Sequence, residues 1–293
     1  MYSLLTFRDS AGAEVPGLKI GDAVYPLDSQ FSSVLEILWN WNDAEKALEE
    51  MVDRFAKENS NRGLSLDEVV LAAPILYPGM LYCAGANYRD HVLEMTGEPP
   101  PVENTEPFFF VKSSRGTIIG PGDSIQLPDF SEKVDWEAEI GMVVGREARN
   151  VDEDHALDYI AGFTILNDLS ARDHTKRHDV PFLFDWIGQK CWDTGCPMGP
   201  WITPRAAIAE PYDLDIRLWV NDALKQNSSS NQMIFGYEAQ IAYLSRHVTL
   251  FPGDVIATGT PAGCGMPSGS FLKRGDVVRI EITGLGELCN PVI

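Results

Sequence analysis

The sequence has few basic residues: 23 lysines and arginines stand against 43 aspartates and glutamates, for a formal net charge of −20. Nucleic acids and anionic membranes bind basic patches, so this balance argues against both as partners. No apolar run approaches the ~20 residues that span a bilayer. The five cysteines are odd in number and scattered, and the N-terminus lacks the pattern of a signal peptide. We therefore expect a soluble, cytoplasmic protein.

Several common ligand motifs are also missing. No GxGxxG follows a predicted strand and no glycine-rich turn ends in Lys-Ser/Thr, so the sequence does not predict a site for NAD or ATP. His174 and His178 have a spacing compatible with zinc, but the glutamate of a zinc protease is absent. Cys191 and Cys196 have no second cysteine pair, so we interpret them as ordinary thiols.

Two regions differ in character. Residues 1–74 predict a small N-terminal α/β domain, with short strands and one amphipathic helix whose apolar positions run from Ala44 to Phe55. Residues 75–293 consist of short apolar runs separated by glycine and proline, which is typical of strands. Helices near 88–95 and 237–246 interrupt them. The pattern predicts an α+β protein that is mostly β.

Three carboxylates alternate along one apolar run, at Asp135, Glu137 and Glu139. On a strand, alternate positions share a face, so the three would repel one another without a cation. Asp168 ends another apolar run and offers a fourth carboxylate. Glu137, Glu139 and Asp168 would form an all-oxygen site suited to Mg²⁺ or Mn²⁺, with Ca²⁺ as an alternative. The competing interpretation is a solvated acidic strand edge.

Further side chains suggest acid–base chemistry and anion binding. His91 and Glu94 lie three apart and share a helical face, where they form either a general-base pair or an ordinary surface contact. Lys190 stands among apolar and aromatic neighbours and needs an anion nearby, unless its stem only covers apolar surface. The glycine-rich run that contains Gly259 and Thr260 has backbone N–H groups for a carboxylate, or is a simple turn.

Taken in order, these motifs resemble the fumarylacetoacetate hydrolase family over roughly residues 76–293. The segments that carry the resemblance are Asn87–Glu94, Asp135–Glu139, Asn167–Asp173, Lys190, Met233–Phe235 and Gly259–Gly263. The resemblance implies a mixed β-sandwich roll, a catalytic Mg²⁺ or Mn²⁺ and a homodimer. It implies Glu137, Glu139 and Asp168 as metal ligands, His91 with Glu94 as the water-activating pair and Lys190 as the active-site lysine. For the substrate it implies Tyr88, Arg172, Gly259 and Thr260.

The hypothesis that follows is hydrolysis of a carbon–carbon bond in a β-diketo acid of the acylpyruvate type. His91, held by Glu94, would take a proton from water, and the metal and Lys190 would stabilise the enolate that leaves. The same site also suits a 2-oxo acid decarboxylase, a hydratase, an isomerase or a lyase. A metal-binding protein without catalysis is the remaining alternative.

Overall fold

The computed structural model describes residues 1–27, 29–58, 63–101 and 105–293, and these form strands and α-helices as follows. The strands are β1 Ser3–Arg8, β2 Glu14–Ile20, β3 Ala23–Pro26, β4 Leu64–Ser65, β5 Val70–Ala72, β6 Leu81–Ala84, β7 Phe109–Lys112, β8 Ile118–Ile119, β9 Val134–Asp135, β10 Ala138–Val144, β11 Ile160–Asn167, β12 Ser170–Ala171, β13 Cys196–Pro204, β14 Asp215–Val220, β15 Ala223–Ser229, β16 Val255–Ala257, β17 Val277–Ile282 and β18 Gly286–Pro291. The helices are α1 Val34–Trp39, α2 Trp41–Glu58, α3 Arg89–Thr96, α4 Trp186–Lys190, α5 Tyr237–His247 and α6 Gly265–Ser268.

A large mixed sheet forms the centre of the molecule. Its main order is β4-β3-β2-β1-β13-β11-β10-β16-β6-β7, with β5 paired to β1 and β8 paired to β13. A four-stranded antiparallel sheet, in the order β15-β14-β17-β18, and the pair β12-β9 complete the architecture. About a third of the chain is strand and a quarter is helix, so the predicted α+β class is confirmed.

Two hydrophobic cores lie on opposite faces of the large sheet, because neighbouring strand residues point to opposite sides. Ile140, Met142 and Val144 of β10 belong to the core that includes the four-stranded sheet. Val143 belongs to the core that includes helices α1 and α2. The buried strand β10 is thereby held on both faces, and the residues at its start have little freedom to move.

The N-terminal residues are continuous with this framework. Leu4 of β1 pairs with Ile202 of β13, and Leu4, Leu38 and Leu48 share a core with Leu81. The division at residue 74 stays a prediction, and both hydrogen bonds and packing cross it. No helix of the described ranges is long and apolar enough to cross a membrane.

Candidate active site

Three predicted metal ligands lie at one edge of the large sheet. Glu137 directly precedes β10, Glu139 is its second residue, and Asp168 directly follows β11. Because β10 and β11 are antiparallel, with Ala138 opposite Asn167, the start of one strand meets the end of the other. One carboxylate oxygen from each of the three acids lies within 4.8 Å of the other two, and all three side chains are buried.

Asp135 does not belong to this cluster, so the expectation that one strand presents Asp135, Glu137 and Glu139 on a single face is wrong. Asp135 ends β9, which pairs with β12, and a new strand starts only at Ala138. The Asp135 carboxylate accepts hydrogen bonds from the backbone N–H groups of Gly265, at 2.6 Å, and Met266, at 3.0 Å. Because the chain leaves the extended conformation of one strand between Asp135 and Ala138, alternate residues no longer share one face there.

Three cations surround the carboxylates: two buried lysines and Arg172, whose side chain is 11% exposed. Lys190 Nζ lies 2.8 Å from Glu137 Oε2 and 2.7 Å from Asp168 Oδ2. Lys112 Nζ lies 2.7 Å from Asp168 Oδ1. The Arg172 guanidinium bridges Asp135, at 2.8 Å, and Glu137, at 2.6 Å. Four carboxylates therefore face three cations, and one negative charge is left over.

That uncompensated charge is on Glu139. Its side chain is 1% exposed, and its one recorded polar partner among the described residues is the N–H of Gly259, 2.7 Å from Oε2. Burial and the neighbouring Asp168 and Glu137 carboxylates raise the pKa of Glu139 well above its ordinary value. Burial also acts on Glu137, but Lys190 and Arg172 hold its pKa below the usual range. A buried carboxylate without a cationic partner, beside two further carboxylates, fits a hard divalent cation.

The predicted base pair lies on α3. His91 Nδ1 is 3.9 Å from Glu94 Oε2, and Glu94 Oε2 accepts a hydrogen bond of 3.0 Å from the N–H of Gly263. Burial lowers the pKa of His91 below its ordinary value, against the opposing effect of Glu137. The imidazole is therefore neutral near pH 7, as a base must be.

Tertiary contacts hold α3 beside the sheet edge. The Asn87 side chain donates to the carbonyl oxygens of Thr258, at 2.8 Å, and Phe235, at 3.1 Å, just before the helix begins. Asp90 accepts a hydrogen bond of 2.5 Å from Ser228. Ser228 of β15 thereby contacts the helix that carries His91.

A pocket of about 230 Å³ joins these groups. Its lining includes His91, Glu137, Glu139, Arg172, Lys190 and Thr260 from the predicted set, together with aromatic residues and Gln189. Thr260 donates to the carbonyl of Ala138 at 2.9 Å and accepts from Gln226 at 2.9 Å, so the body of the protein already engages its hydroxyl.

Two residues proposed for the substrate have other contacts. Tyr88 is fully buried in the hydrophobic core and is not among the pocket-lining residues. Gly259 directs its N–H to Glu139, and its φ of 95° and a Cβ position only 2.9 Å from Asn87 Cβ both require glycine. We conclude that Gly259 orients the candidate ligand Glu139.

Sequence reasoning missed Lys112 and Gln189. Lys112 ends β7 after three phenylalanines and a valine, and a lysine in so apolar a run is a signal that it needs a buried anion. Gln189 gave no comparable signal, because its neighbours Gly188 and Lys190 do not indicate which way its amide points.

Comparison with known proteins agrees with this geometry. The family model described as the C-terminal domain of fumarylacetoacetate (FAA) hydrolase matches residues 80–293. A Xenopus laevis protein named mitochondrial oxaloacetate tautomerase is 43% identical over 240 residues, which cover 81% of this chain and 73% of that protein.

Two solved structures extend the similarity to the whole chain. Maleylpyruvate hydrolase from Sphingobium sp. SYK-6, in complex with manganese(II) and pyruvate, has a TM-score of 0.79 and 27% identity, over 100% of this chain and 99% of that one. A 5-carboxymethyl-2-hydroxymuconate delta-isomerase from Mycobacterium smegmatis has a TM-score of 0.75 and 30% identity, with the same coverage.

Proposed function

The chain belongs to the fumarylacetoacetate hydrolase family, and from that premise we propose that it is a metal-dependent hydrolase of acylpyruvate-type β-diketo acids. The observation that carries this proposal is one pocket that is lined by His91, by Lys190 and by two members of the carboxylate triad, Glu137 and the uncompensated Glu139. Relatives of this chain include proteins named as a maleylpyruvate hydrolase, an oxaloacetate tautomerase and a 5-carboxymethyl-2-hydroxymuconate delta-isomerase. The choice among these reactions is our proposal.

His91 would act as the general base. No described residue hydrogen-bonds its Nε2, whereas Nδ1 lies near Glu94 and near Cys264 Sγ, 4.0 Å away. Nε2 takes a proton from water, and the hydroxide attacks the acyl carbonyl of the substrate. The bond between that carbon and the neighbouring CH₂ breaks, and its electron pair forms the enolate of pyruvate. The protonated His91 then gives its proton to the CH₂ carbon of the enolate, which becomes the methyl group of pyruvate. The acyl part of the substrate leaves as a carboxylic acid.

Positive charge is needed where the enolate forms. Lys190 and Arg172 both line the pocket, and each is held by buried carboxylates, so neither has to reorganise during the reaction. Glu137, Glu139 and Asp168 would hold Mg²⁺ or Mn²⁺, which polarises carbonyl oxygens as a Lewis acid. With a dication the site would carry a net charge of about +1, which suits an anionic substrate.

A substrate panel with Mn²⁺ or Mg²⁺ tests the proposal. The panel holds acylpyruvates and oxaloacetate, in water enriched in ¹⁸O, with products followed by NMR and mass spectrometry. Hydrolysis releases pyruvate and places one solvent oxygen in the new carboxylic acid. If acylpyruvates remain intact while chelator-sensitive turnover of oxaloacetate is observed, the hydrolase proposal is wrong.

A second candidate is tautomerisation of oxaloacetate, favoured by the 43% identity to the Xenopus laevis protein. This reaction needs only that His91 move a proton between carbon and oxygen beside the keto group, without attack by water. The same panel separates the two, because a tautomerase changes the enol absorbance of oxaloacetate and releases no pyruvate.

The homodimer and the cytoplasmic location remain predictions. Relatives named as mitochondrial show that members of this family also occur in another compartment. Light scattering of the purified protein and fractionation of the source cells would test the two.

A further inference from the structure

We infer that the carboxamide of Gln189 binds a carboxylate at the far end of the substrate, so that the pocket selects 2-oxo diacids over 2-oxo acids with an apolar tail. This inference rests on the proposed function in one respect, that the near end of the substrate is a 2-oxo acid bound at the carboxylate triad. It does not depend on which reaction follows.

The Gln189 side chain has a buried amide oxygen without a partner. Its side chain is 4% exposed, it lines the pocket, and Oε1 has no hydrogen-bond partner among the described residues. A buried amide normally forms hydrogen bonds, because leaving one unsatisfied costs about 1–3 kcal/mol. A half-turn about the last side-chain bond exchanges its two ends, so the group can present either oxygen or NH₂ to a ligand.

The cationic groups and the hydroxyl groups that line the pocket are already engaged. Lys190 and Arg172 hold buried carboxylates. Thr175 and Thr260 donate their hydroxyl hydrogens to the backbone carbonyls of Arg172 and Ala138. Gln189 Oε1 is the amide atom that is buried without a partner, and after a half-turn the NH₂ group takes its place and can donate to a ligand.

Gln189 lies on an aromatic wall. Trp186 precedes it by three residues on α4, and the Trp186 ring stacks on Phe110, with centroids 5.2 Å apart and planes at 5°. Phe108 packs against the same ring at 5.8 Å. All three aromatics line the pocket. A polar amide on an otherwise apolar wall can donate a hydrogen bond to a substrate oxygen at one position only. An apolar tail at that position would cover the amide without forming a hydrogen bond to it, which costs binding free energy.

The charge of the site leaves room for a second anionic group. With a dication on the triad the cluster would carry about +1, and the near-end carboxylate of a 2-oxo acid would bring it to about zero, so the site as a whole does not repel a carboxylate at the far end. The ammonium of Lys190, the neighbour of Gln189, is buried in the same pocket. A second carboxylate next to the amide gains a charge-assisted hydrogen bond, which is stronger than one to a neutral group.

Two ligands that the enzyme cannot cleave separate recognition from chemistry. 2-Oxoglutarate carries a far carboxylate and 2-oxohexanoate carries an ethyl group of similar size in its place, and both lack the second keto group. Calorimetry on the Mn²⁺-loaded full chain gives Kd for each ligand with the wild type, Gln189→Leu and Gln189→Glu. Ile187→Ala is the matched control, because Ile187 is on the same short helix, is 70% exposed and does not line the pocket.

We expect the wild type and the control to bind 2-oxoglutarate about tenfold more tightly than 2-oxohexanoate. Gln189→Leu should abolish this preference, and Gln189→Glu, which is nearly isosteric, should reverse it through charge repulsion. If Gln189→Leu does not fold, the comparison of the two Kd values rests on Gln189→Glu. Absence of a preference in the wild type, or its persistence in the folded variants, overturns the inference. A preference for the diacid without release of pyruvate from acylpyruvates would leave the inference standing and remove the hydrolase proposal.

Discussion

Lys112 and Asp168 form an ion pair that is almost entirely removed from solvent: Nζ lies 2.7 Å from Oδ1, and the side chains are 0% and 1% exposed. Lys190 contacts the other oxygen of the same carboxylate. Asp168 is thereby fixed between two ammonium groups that come from β7 and α4. A divalent ion at the triad would meet a carboxylate whose orientation is already set.

The first prediction concerns the contribution of Lys112 to folding. Lys112→Met leaves Asp168 with one cation fewer in a dry site, so the free energy of unfolding should fall by about 3 kcal/mol. Denaturant unfolding of the metal-free protein measures it. Arg274→Met is the control, because Arg274 pairs with Asp129 at an exposed site and should cost less than about 1 kcal/mol. Equal losses in both variants would contradict a special role for the buried pair.

The second prediction concerns metal binding. Glu139→Gln removes the carboxylate that lacks a cationic partner and should weaken Mn²⁺ binding by at least about 100-fold, more than the loss of an outer-shell partner. Calorimetric titration of the metal-free protein measures the affinity. Glu147→Gln, an exposed substitution beyond the end of the same strand, should bind Mn²⁺ like the wild type. Retention of wild-type affinity in Glu139→Gln would remove Glu139 from the ligand set.

The third prediction separates the base from the metal site. His91→Ala should lower kcat by about 10²–10⁴-fold, the usual contribution of a general base, and should leave Mn²⁺ affinity unchanged. Steady-state kinetics and calorimetry on the same preparation test both parts. His155→Ala is the control, because the His155 side chain is 76% exposed. If His91→Ala keeps full turnover, the base must lie elsewhere.

The fourth prediction is the acid limb of the pH profile. Burial lowers the pKa of His91 from its ordinary value of 6.5. A base is active when deprotonated, so kcat/KM should rise with pH and reach half its maximum below pH 6.5 in the metal-saturated enzyme. Because Glu94 raises the pKa of His91, Glu94→Gln should move this limb to still lower pH. A limb that stays in place in Glu94→Gln would argue against titration of His91.

Short-range patterns predicted three of the six described α-helices and the proximity of the three candidate ligands. The helix expected near 88–95 is α3 at Arg89–Thr96, and the amphipathic helix expected around Ala44 to Phe55 is α2 at Trp41–Glu58. Glu137, Glu139 and Asp168 converge as expected. These features depend on spacing within a few residues and on the rule that buried charge needs compensation.

The spacing of residues in the sequence did not reveal which charged side chains form ion pairs with one another. Alternation suggested that Asp135 belongs with Glu137 and Glu139, yet the strand ends between them and Asp135 binds Arg172 and the loop near Gly265. Lys112 reaches Asp168 over 56 residues of chain, and only the arrangement of β7 beside the other strands brings them together.

The sequence by itself determined which functional side chains this protein has for its site. These are three acidic residues suited to a hard cation, a histidine with a carboxylate one helical turn away, and a lysine among apolar residues. The tertiary structure decided how the charges pair: among the described residues, Glu139 is the one carboxylate of the four without a cationic partner, and Gln189 Oε1 has no hydrogen-bond partner. The physical reason is that ion pairing and desolvation depend on distances of a few ångströms between residues far apart in the chain, and these distances exist only once the strands have packed.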